Sequence, residues 1–317
     1  MKNFAFVFPG QGSQSVGMLD AWGDHPAVRE ALGEASDALG EDIGALIAGG
    51  PAQALALTAN TQPAMLTAGV ACWRAWRAEG GALPMAVAGH SLGEYTALVA
   101  AGALTLAQAA PLVRLRATAM QEAVPVGAGA MAAILGLEAA RVIAGCKDVM
   151  AALGGAGSAE VVEAVNFNDP AQTVIAGSKA AVDKACEVLK GMGAKRALAL
   201  PVSAPFHSSL MQPAALRLRE ELARVHIAAP QIAVVNNIDV VIENTPEAIR
   251  DALYRQAFGP VRWVECVRKI KSMGAGVLVE CGPGKALAGM TRRIDPDLTS
   301  LSLYDPATLQ EARAALA

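Results

Sequence analysis

The stretch Met85-Ala86-Val87-Ala88-Gly89-His90-Ser91-Leu92-Gly93-Glu94 constrains this chain more than any other. An apolar run of strand length reaches G-x-S-x-G and continues into residues 94–99, which read as a helix. Strand, tight turn and helix in that order are the context of a nucleophile elbow. Gly89 and Gly93 remove Cβ atoms where strand and helix crowd together, and the turn between them holds Ser91 in a strained backbone region. Ser91 is thereby presented at a helix N-terminus, where its oxygen can attack and the Leu92 N–H can stabilise an oxyanion. The competing reading is a glycine-rich βα turn whose serine merely caps the helix.

The rest of the composition allows such a site to be embedded in a large fold. A chain of 317 residues can be a single α/β unit with an insertion. With 53% hydrophobic and 17% charged residues it can build an extensive core, and an ordered chain is expected. A formal net charge of −3 argues against a general nucleic-acid binder, which needs a broad cationic surface. Cys72, Cys146, Cys186, Cys266 and Cys281 are odd in number, far apart and without C-x-x-C spacing, so buried free thiols in a reducing compartment are expected rather than disulfides or a metal site. The apolar run at the N-terminus stops at Pro9-Gly10, too soon for a signal peptide. The window 97–113 is mostly alanine and is broken by Gly102, Gln108 and Pro111, a poor membrane span. The expectation is a soluble cytoplasmic protein that binds no nucleic acid or membrane.

In chain order, residues 4–8 read as a buried strand ending at Pro9-Gly10. The loop Gly10-Gln11-Gly12-Ser13-Gln14-Ser15 fails the dinucleotide pattern because Ser15 stands where a third glycine belongs, leaving a loop in which Gln11 can aim an amide at a site. Residues 24–39 and 53–57 read as surface helices. A longer helix spans 62–77, with Trp73 and Trp76 as core packing. After the elbow, a helix is expected over 106–122, and Pro125 with Gly127-Ala128-Gly129 marks a boundary.

Beyond it the texture becomes strand 131–137, helix 138–151, strands 161–167 and 172–176, helix 179–192 and strand 195–202. That β-α-β-β-α-β order is ferredoxin-like. The expected architecture is a hydrolase-like α/β domain of residues 1–127 plus 201–317, built on a parallel sheet, with a ferredoxin-like small domain inserted at 128–200. A loop over 203–208, a helix over 213–226 and buried strands at 232–236 and 277–281 follow. Gly282-Pro283-Gly284-Lys285 lacks the partners of a phosphate-binding loop and reads as a turn into a helix.

A serine hydroxyl needs a base. Of the four histidines, His25 and His226 read as solvated, and His90, adjacent to the serine in the elbow, projects elsewhere. His207, in a Pro-Phe-His-Ser loop, is assigned the base by elimination. No acidic residue lies between Ala204 and Arg219, so the group that orients its ring is open: a distant Asp239 or Glu280, or a backbone carbonyl.

These residues also carry a resemblance. Phe8-Pro9-Gly10-Gln11-Gly12-Ser13-Gln14, Thr61-Gln62-Pro63-Ala64, Gly89-His90-Ser91-Leu92-Gly93-Glu94-Tyr95, Arg116 with Met120-Gln121-Glu122-Ala123-Val124-Pro125, Val165-Asn166-Phe167-Asn168, His207, Arg255-Gln256 and Glu280-Cys281-Gly282-Pro283-Gly284-Lys285 together resemble the malonyl-CoA:acyl carrier protein transacylases of type II fatty-acid synthesis. The match runs in order over nearly the whole chain. It implies a CoA thioester and a carrier-protein phosphopantetheine as substrates, no bound cofactor, Ser91 as nucleophile, His207 as base and the backbone N–H groups of Gln11 and Leu92 as the oxyanion hole. It further implies that Arg116 pairs with the malonyl carboxylate, that the carbonyl of Gln256 orients His207, and that His90, Met120 and Phe206 line the substrate pocket. Phe206, preceding the histidine, resembles what malonyl-selective acyltransferase domains carry. A planar guanidinium can grip a desolvated carboxylate through two hydrogen bonds, although from position alone Arg116 would read as an exposed helix arginine like Arg114.

The reading that follows is a monomeric ping-pong acyltransferase. A serine esterase or thioesterase using the same elbow, and a non-catalytic docking subunit, are the alternatives. Carrier proteins of this pathway are acidic, so an acidic enzyme needs a local cationic face, for which Lys195, Arg196, Arg292 and Arg293 are the candidates.

Overall fold

The computed structural model describes residues 2–155, 160–202 and 204–317. Ser203, the first residue of the loop expected over 203–208, lies outside them. Two sheets organise the chain. The first is parallel, in the order β7-β2-β1-β8-β9, formed by β1 (Phe4–Phe8), β2 (Ala86–Gly89), β7 (Ala233–Val235), β8 (Val277–Cys281) and β9 (Thr299–Leu303). β1, β2 and β8 are buried along their whole length, which explains why they are apolar throughout but for Glu280: a parallel strand covered on both faces has no solvent side to mark with polar residues.

The second sheet is antiparallel, in the order β4-β5-β3-β6, formed by β3 (Gly129–Leu135), β4 (Val162–Asp169), β5 (Gln172–Ser178) and β6 (Arg196–Ala199), with α7 (Ala139–Ala152) and α8 (Lys179–Gly191) between its strands in sequence. Its alternation sorts the side chains by face. Ala132, Ile134 and Ile175 pack with Val142, Cys146, Val182 and Leu189 of the two helices, whereas Met131, Ala133, Val174 and Ala176 join the core of the parallel sheet. The fold class is therefore the expected one.

Around the parallel sheet lie α1 (Pro26–Leu39), α2 (Ile43–Gly49), α3 (Ala52–Ala56), α4 (Thr58–Ala78), α5 (Gly93–Ala100), α6 (Leu106–Glu122), α9 (Gln212–Leu222), α10 (Pro246–Gln256), α11 (Trp263–Ser272), α12 (Ala286–Ile294) and α13 (Pro306–Leu316). Trp73 and Trp76 stack edge-on against Phe6, so both are core residues as expected. Several boundaries differ from the expected ones. α4 starts four residues before Gln62, with Pro63 accommodated inside it. α9 ends at Leu222 and leaves His226 exposed beyond it, and β6 is only four residues long. Four cysteines are buried free thiols, but Cys186 is half-buried. No helix among the described residues is long and apolar enough to cross a membrane.

The register fixes where chemistry can happen. Phe8 pairs with Gly89 and Val7 with Glu280, so the C-terminal ends of β1, β2 and β8 are level. β1 is the point at which the chain switches from building one side of the sheet to building the other, and such a switch leaves a crevice outside the strand ends. The loops after β1 and β2 open into it.

Candidate active site

The elbow is built as its glycines demand. A Cβ on Gly89 would stand 1.8 Å from the Gly93 carbonyl carbon, and one on Gly93 would stand 2.1 Å from the Phe8 oxygen, so both positions exclude any side chain. Between them Ser91 holds φ of 53°, in the left-handed region. Its hydroxyl caps nothing: α5 has no side-chain N-cap bond, and Ser91 Oγ instead lies 2.7 Å from His207 Nε2. The capping alternative fails on that contact.

His207 is buried, and its Nδ1 is 2.9 Å from the Gln256 carbonyl oxygen. A carbonyl can only accept, so Nδ1 carries the proton and Nε2 presents its lone pair to the serine. Burial, reinforced by the Arg116 cation, pushes the imidazole down to about 3, which keeps it neutral and basic in form. The open question of the orienting group is answered by Gln256 at the end of α10. Asp239 is occupied by a two-pronged pair with Arg255 at 2.8 and 2.6 Å, and Glu280 accepts the Ala288 N–H at 2.7 Å.

Arg116 is not an exposed helix arginine. On α6, residues 109, 113, 116 and 120 fall at spacings of four, three and four and form one buried face, whereas Arg114 points outward to Glu41. The Arg116 guanidinium, 1% exposed, donates to Gln62 Oε1 at 2.7 Å, to Ser91 Oγ at 3.1 Å and to Gln256 Oε1 at 3.1 Å. All three acceptors are neutral. A buried cation beside the serine therefore has no salt-bridge carboxylate, and its Nε has no partner among the described residues. An incoming carboxylate would supply the missing charge.

Beside Ser91 Oγ, Arg116 and Phe206 is a cavity of about 120 Å³, and Met120 also lines it. A second cavity of about 220 Å³ shares Gln11, His90, Asn166 and Leu200 with it. Gln11 turns its side-chain amide to Thr58 at 3.3 Å, so it is the backbone of Gln11, not its side chain, that remains for the site. Among the described residues, no hydrogen bond takes the N–H of Gln11 or of Leu92. His90 is half-buried, lies 2.8 Å from Asn168 Oδ1, and tilts against the Trp263 ring. His25 is half-buried against Trp22 and Glu79 rather than solvated.

The four basic candidates differ from one another. Lys195 and Arg196 are exposed at the start of β6, and Arg292 is exposed on α12. Arg293 is already engaged, its Nε 2.6 Å from the buried Asp169 carboxylate. Gln62, Asn237 and Glu94 went without assigned roles in the sequence, yet all three bond to Arg116, Ser91 or Gln256. Asn236-Asn237, a polar pair ending a buried strand, was the available signal. No cluster of three or more metal-ligating side chains occurs among the described residues.

Residues 5–293 match the acyl transferase domain family. The chain is 51% identical over 313 residues to the malonyl CoA-acyl carrier protein transacylase of Salmonella typhimurium, covering 98% of this chain and 99% of that protein. Among solved structures, it resembles an acyl-carrier-protein S-malonyltransferase from Burkholderia pseudomallei with a TM-score of 0.94 and 65% identity, covering 98% of this chain and 99% of that one. It also resembles, with a TM-score of 0.95 and 48% identity over 99% of this chain and 100% of that one, a malonyl-transacylase solved in complex with its type II PKS acyl-carrier protein.

Proposed function

Because the chain belongs to the malonyl CoA-acyl carrier protein transacylases, and is thus an acyltransferase, we propose that it carries malonyl groups from malonyl-CoA to the phosphopantetheine thiol of an acyl carrier protein. Transfer runs in two halves through a malonyl ester on Ser91 and supplies extender units for fatty-acid synthesis. The observation that carries this reading is the position of one atom: Ser91 Oγ lies 2.7 Å from the neutral His207 Nε2 and 3.1 Å from the Arg116 guanidinium.

In the first half, Arg116 binds the free malonyl carboxylate and sets the thioester carbonyl against Ser91. His207 Nε2 takes the hydroxyl proton as Oγ bonds to the carbonyl carbon. The oxygen gains negative charge, which the free N–H groups of Gln11 and Leu92 stabilise. Collapse breaks the carbon–sulfur bond, and the proton on His207 leaves with the CoA thiol. In the second half the carrier thiol gives its proton to His207 and its sulfur bonds to the ester carbonyl carbon; collapse breaks the bond to Ser91 Oγ, which takes the proton back from His207 Nε2. The cavity that shares His90 and Asn166 with the site is suited to the pantetheine arm common to both substrates.

We also propose residues 1–127 with 201–317 as the catalytic domain, with 128–200 as the small one. We further propose a monomer working in the cytoplasm, where the five free cysteines would stay reduced. The test is product partition: malonyl-carrier should form when carrier protein is present and free malonate should stay low with or without it. Rapid malonate release to water would favour a thioesterase instead.

A further inference from the structure

We propose that Asn237 is a positioning residue for the nucleophile, holding the Ser91 peptide in its left-handed conformation. This rests on the transfer through Ser91 argued above. A non-glycine residue at φ of 53° does not stay there unaided, and small rotations about that backbone swing the side chain off its partner. Residues 236 and 237 run on from β7 beside the end of β2, since Ala88 pairs with Val235.

From that position Asn237 Oδ1 accepts the Ser91 N–H at 2.7 Å, while Nδ2 donates to the Gly89 carbonyl, also at 2.7 Å. One planar amide thus bridges the two sides of the strained turn. The partners dictate which way the amide faces, because an N–H must meet its oxygen and a carbonyl its nitrogen. On the other flank, Gln256 Nε2 donates to the Ser91 carbonyl at 2.9 Å, so both peptide groups of the serine are held by side-chain amides.

The two amides share an anchor. Glu94 Oε2 accepts the Asn237 backbone N–H at 2.8 Å and Gln256 Nε2 at 3.1 Å, and the Asn237 carbonyl accepts the Arg262 N–H at 3.2 Å. Asn237 and Gln256 are fully buried, and every polar group of Asn237 is bonded. Asn237 touches no reacting atom. Its effect is to fix the direction in which Ser91 Oγ leaves the backbone.

The experiment is single-turnover malonylation from malonyl-CoA, followed by intact-protein mass, which separates a rate constant from an amplitude. A merely structural role lowers the amplitude, the folded fraction, and leaves the rate constant alone. Asn237→Ala should lower the rate constant by about 10²-fold, as expected for ångström-scale misplacement, with the half-saturating malonyl-CoA concentration unchanged. Asn237→Asp keeps an acceptor for the Ser91 N–H but sets its second oxygen against the Gly89 carbonyl, so it too should fall short of the wild-type rate constant. If Asn237→Ala does not fold, Asn237→Ser, too short to bridge the turn, takes its place with the same expectation. A rate constant within twofold of the wild type in Asn237→Ala, or in Asn237→Ser where that takes its place, overturns the proposal. Wild-type protein that never malonylates Ser91 would instead overturn the transfer mechanism on which it rests.

Discussion

Ser91 and His207 share a conformation as well as a 2.7 Å contact: with Val240 they are the non-glycine residues at positive φ among those described, at 53° and 65°. Each costs on the order of 1–3 kcal/mol and persists only where surrounding structure imposes it. Both members of the proposed nucleophile–base pair are therefore held strained, and the hydrogen bond between them is preformed.

The neutral state of His207 has a kinetic consequence. Its conjugate acid is disfavoured by burial and by Arg116, which brings it down to about 3. The acid limb of kcat/KM for acylation, which reports the free enzyme, should thus lie well below the ordinary histidine range, leaving the profile flat with respect to this group from pH 5 to 8. His207→Ala should slow acylation by about 10²–10⁴-fold. A limb near pH 6.5 that vanishes in His207→Ala would contradict this.

Arg116 makes substrate choice testable. Bound acetyl would leave its buried guanidinium without a carboxylate bonded to it, and a site built around such a partner rejects the analogue that lacks it. Arg116→Ala should lose malonyl transfer by on the order of 10²-fold or more while acetyl transfer holds or rises. Arg116→Lys, with charge but no fork, should recover only part. Equal loss of both activities would make the arginine structural, a fixture for Gln62 and Gln256.

For the carrier protein, charge reversal at Lys195, Arg196 and Arg292 should raise KM for carrier and not for malonyl-CoA, with an effect that weakens in salt. Arg293→Glu should behave differently. It would strip the buried Asp169 of its partner, so its thermal midpoint should fall while the other three variants keep theirs. An unchanged carrier KM in the triple reversal would remove this face from consideration.

Glu280, at the end of β8, offers a stability test with a definite sign. Burial pushes its carboxyl from 4.5 up to about 7, against the pull of the amides that open α12. The folded chain keeps this proton to higher pH than the unfolded one. Its contribution is complete below pH 4.5 and is lost as pH rises through 7. Glu280→Gln has no proton to lose, so its stability relative to wild type should improve between pH 5 and pH 8 by on the order of 3 kcal/mol in urea denaturation. A difference independent of pH would contradict the assignment.

The elbow was legible because its chemistry is local: two glycines, a strand and a helix stand within fifteen residues. Elimination among four histidines leads to His207, which the fold sets against Ser91, but the carbonyl that holds its ring could not be reached that way, since a backbone oxygen at Gln256 leaves no trace in residue type. Arg116 was misjudged on position alone although the buried spacing through Ala109, Val113 and Met120 was available, because an arginine on an apolar face reads as an exception until its partners are known. α10 carried a legible start in Thr245-Pro246 that went unused, and β9 escaped because an edge strand of alternating Thr, Ser and Leu has little apolar signal. The Asn237 bridge joins residues 146 apart in sequence, a relation only the folded sheet creates.

The most direct test of the account is the mass of the intact protein after brief exposure to malonyl-CoA, before and after addition of acyl carrier protein. One malonyl group per chain is expected, mapped by peptide fragmentation to Ser91, absent in Ser91→Ala, and discharged onto the carrier thiol when carrier is added. Formation of malonyl-carrier without any such adduct, or an adduct of the same stoichiometry in Ser91→Ala, would contradict it.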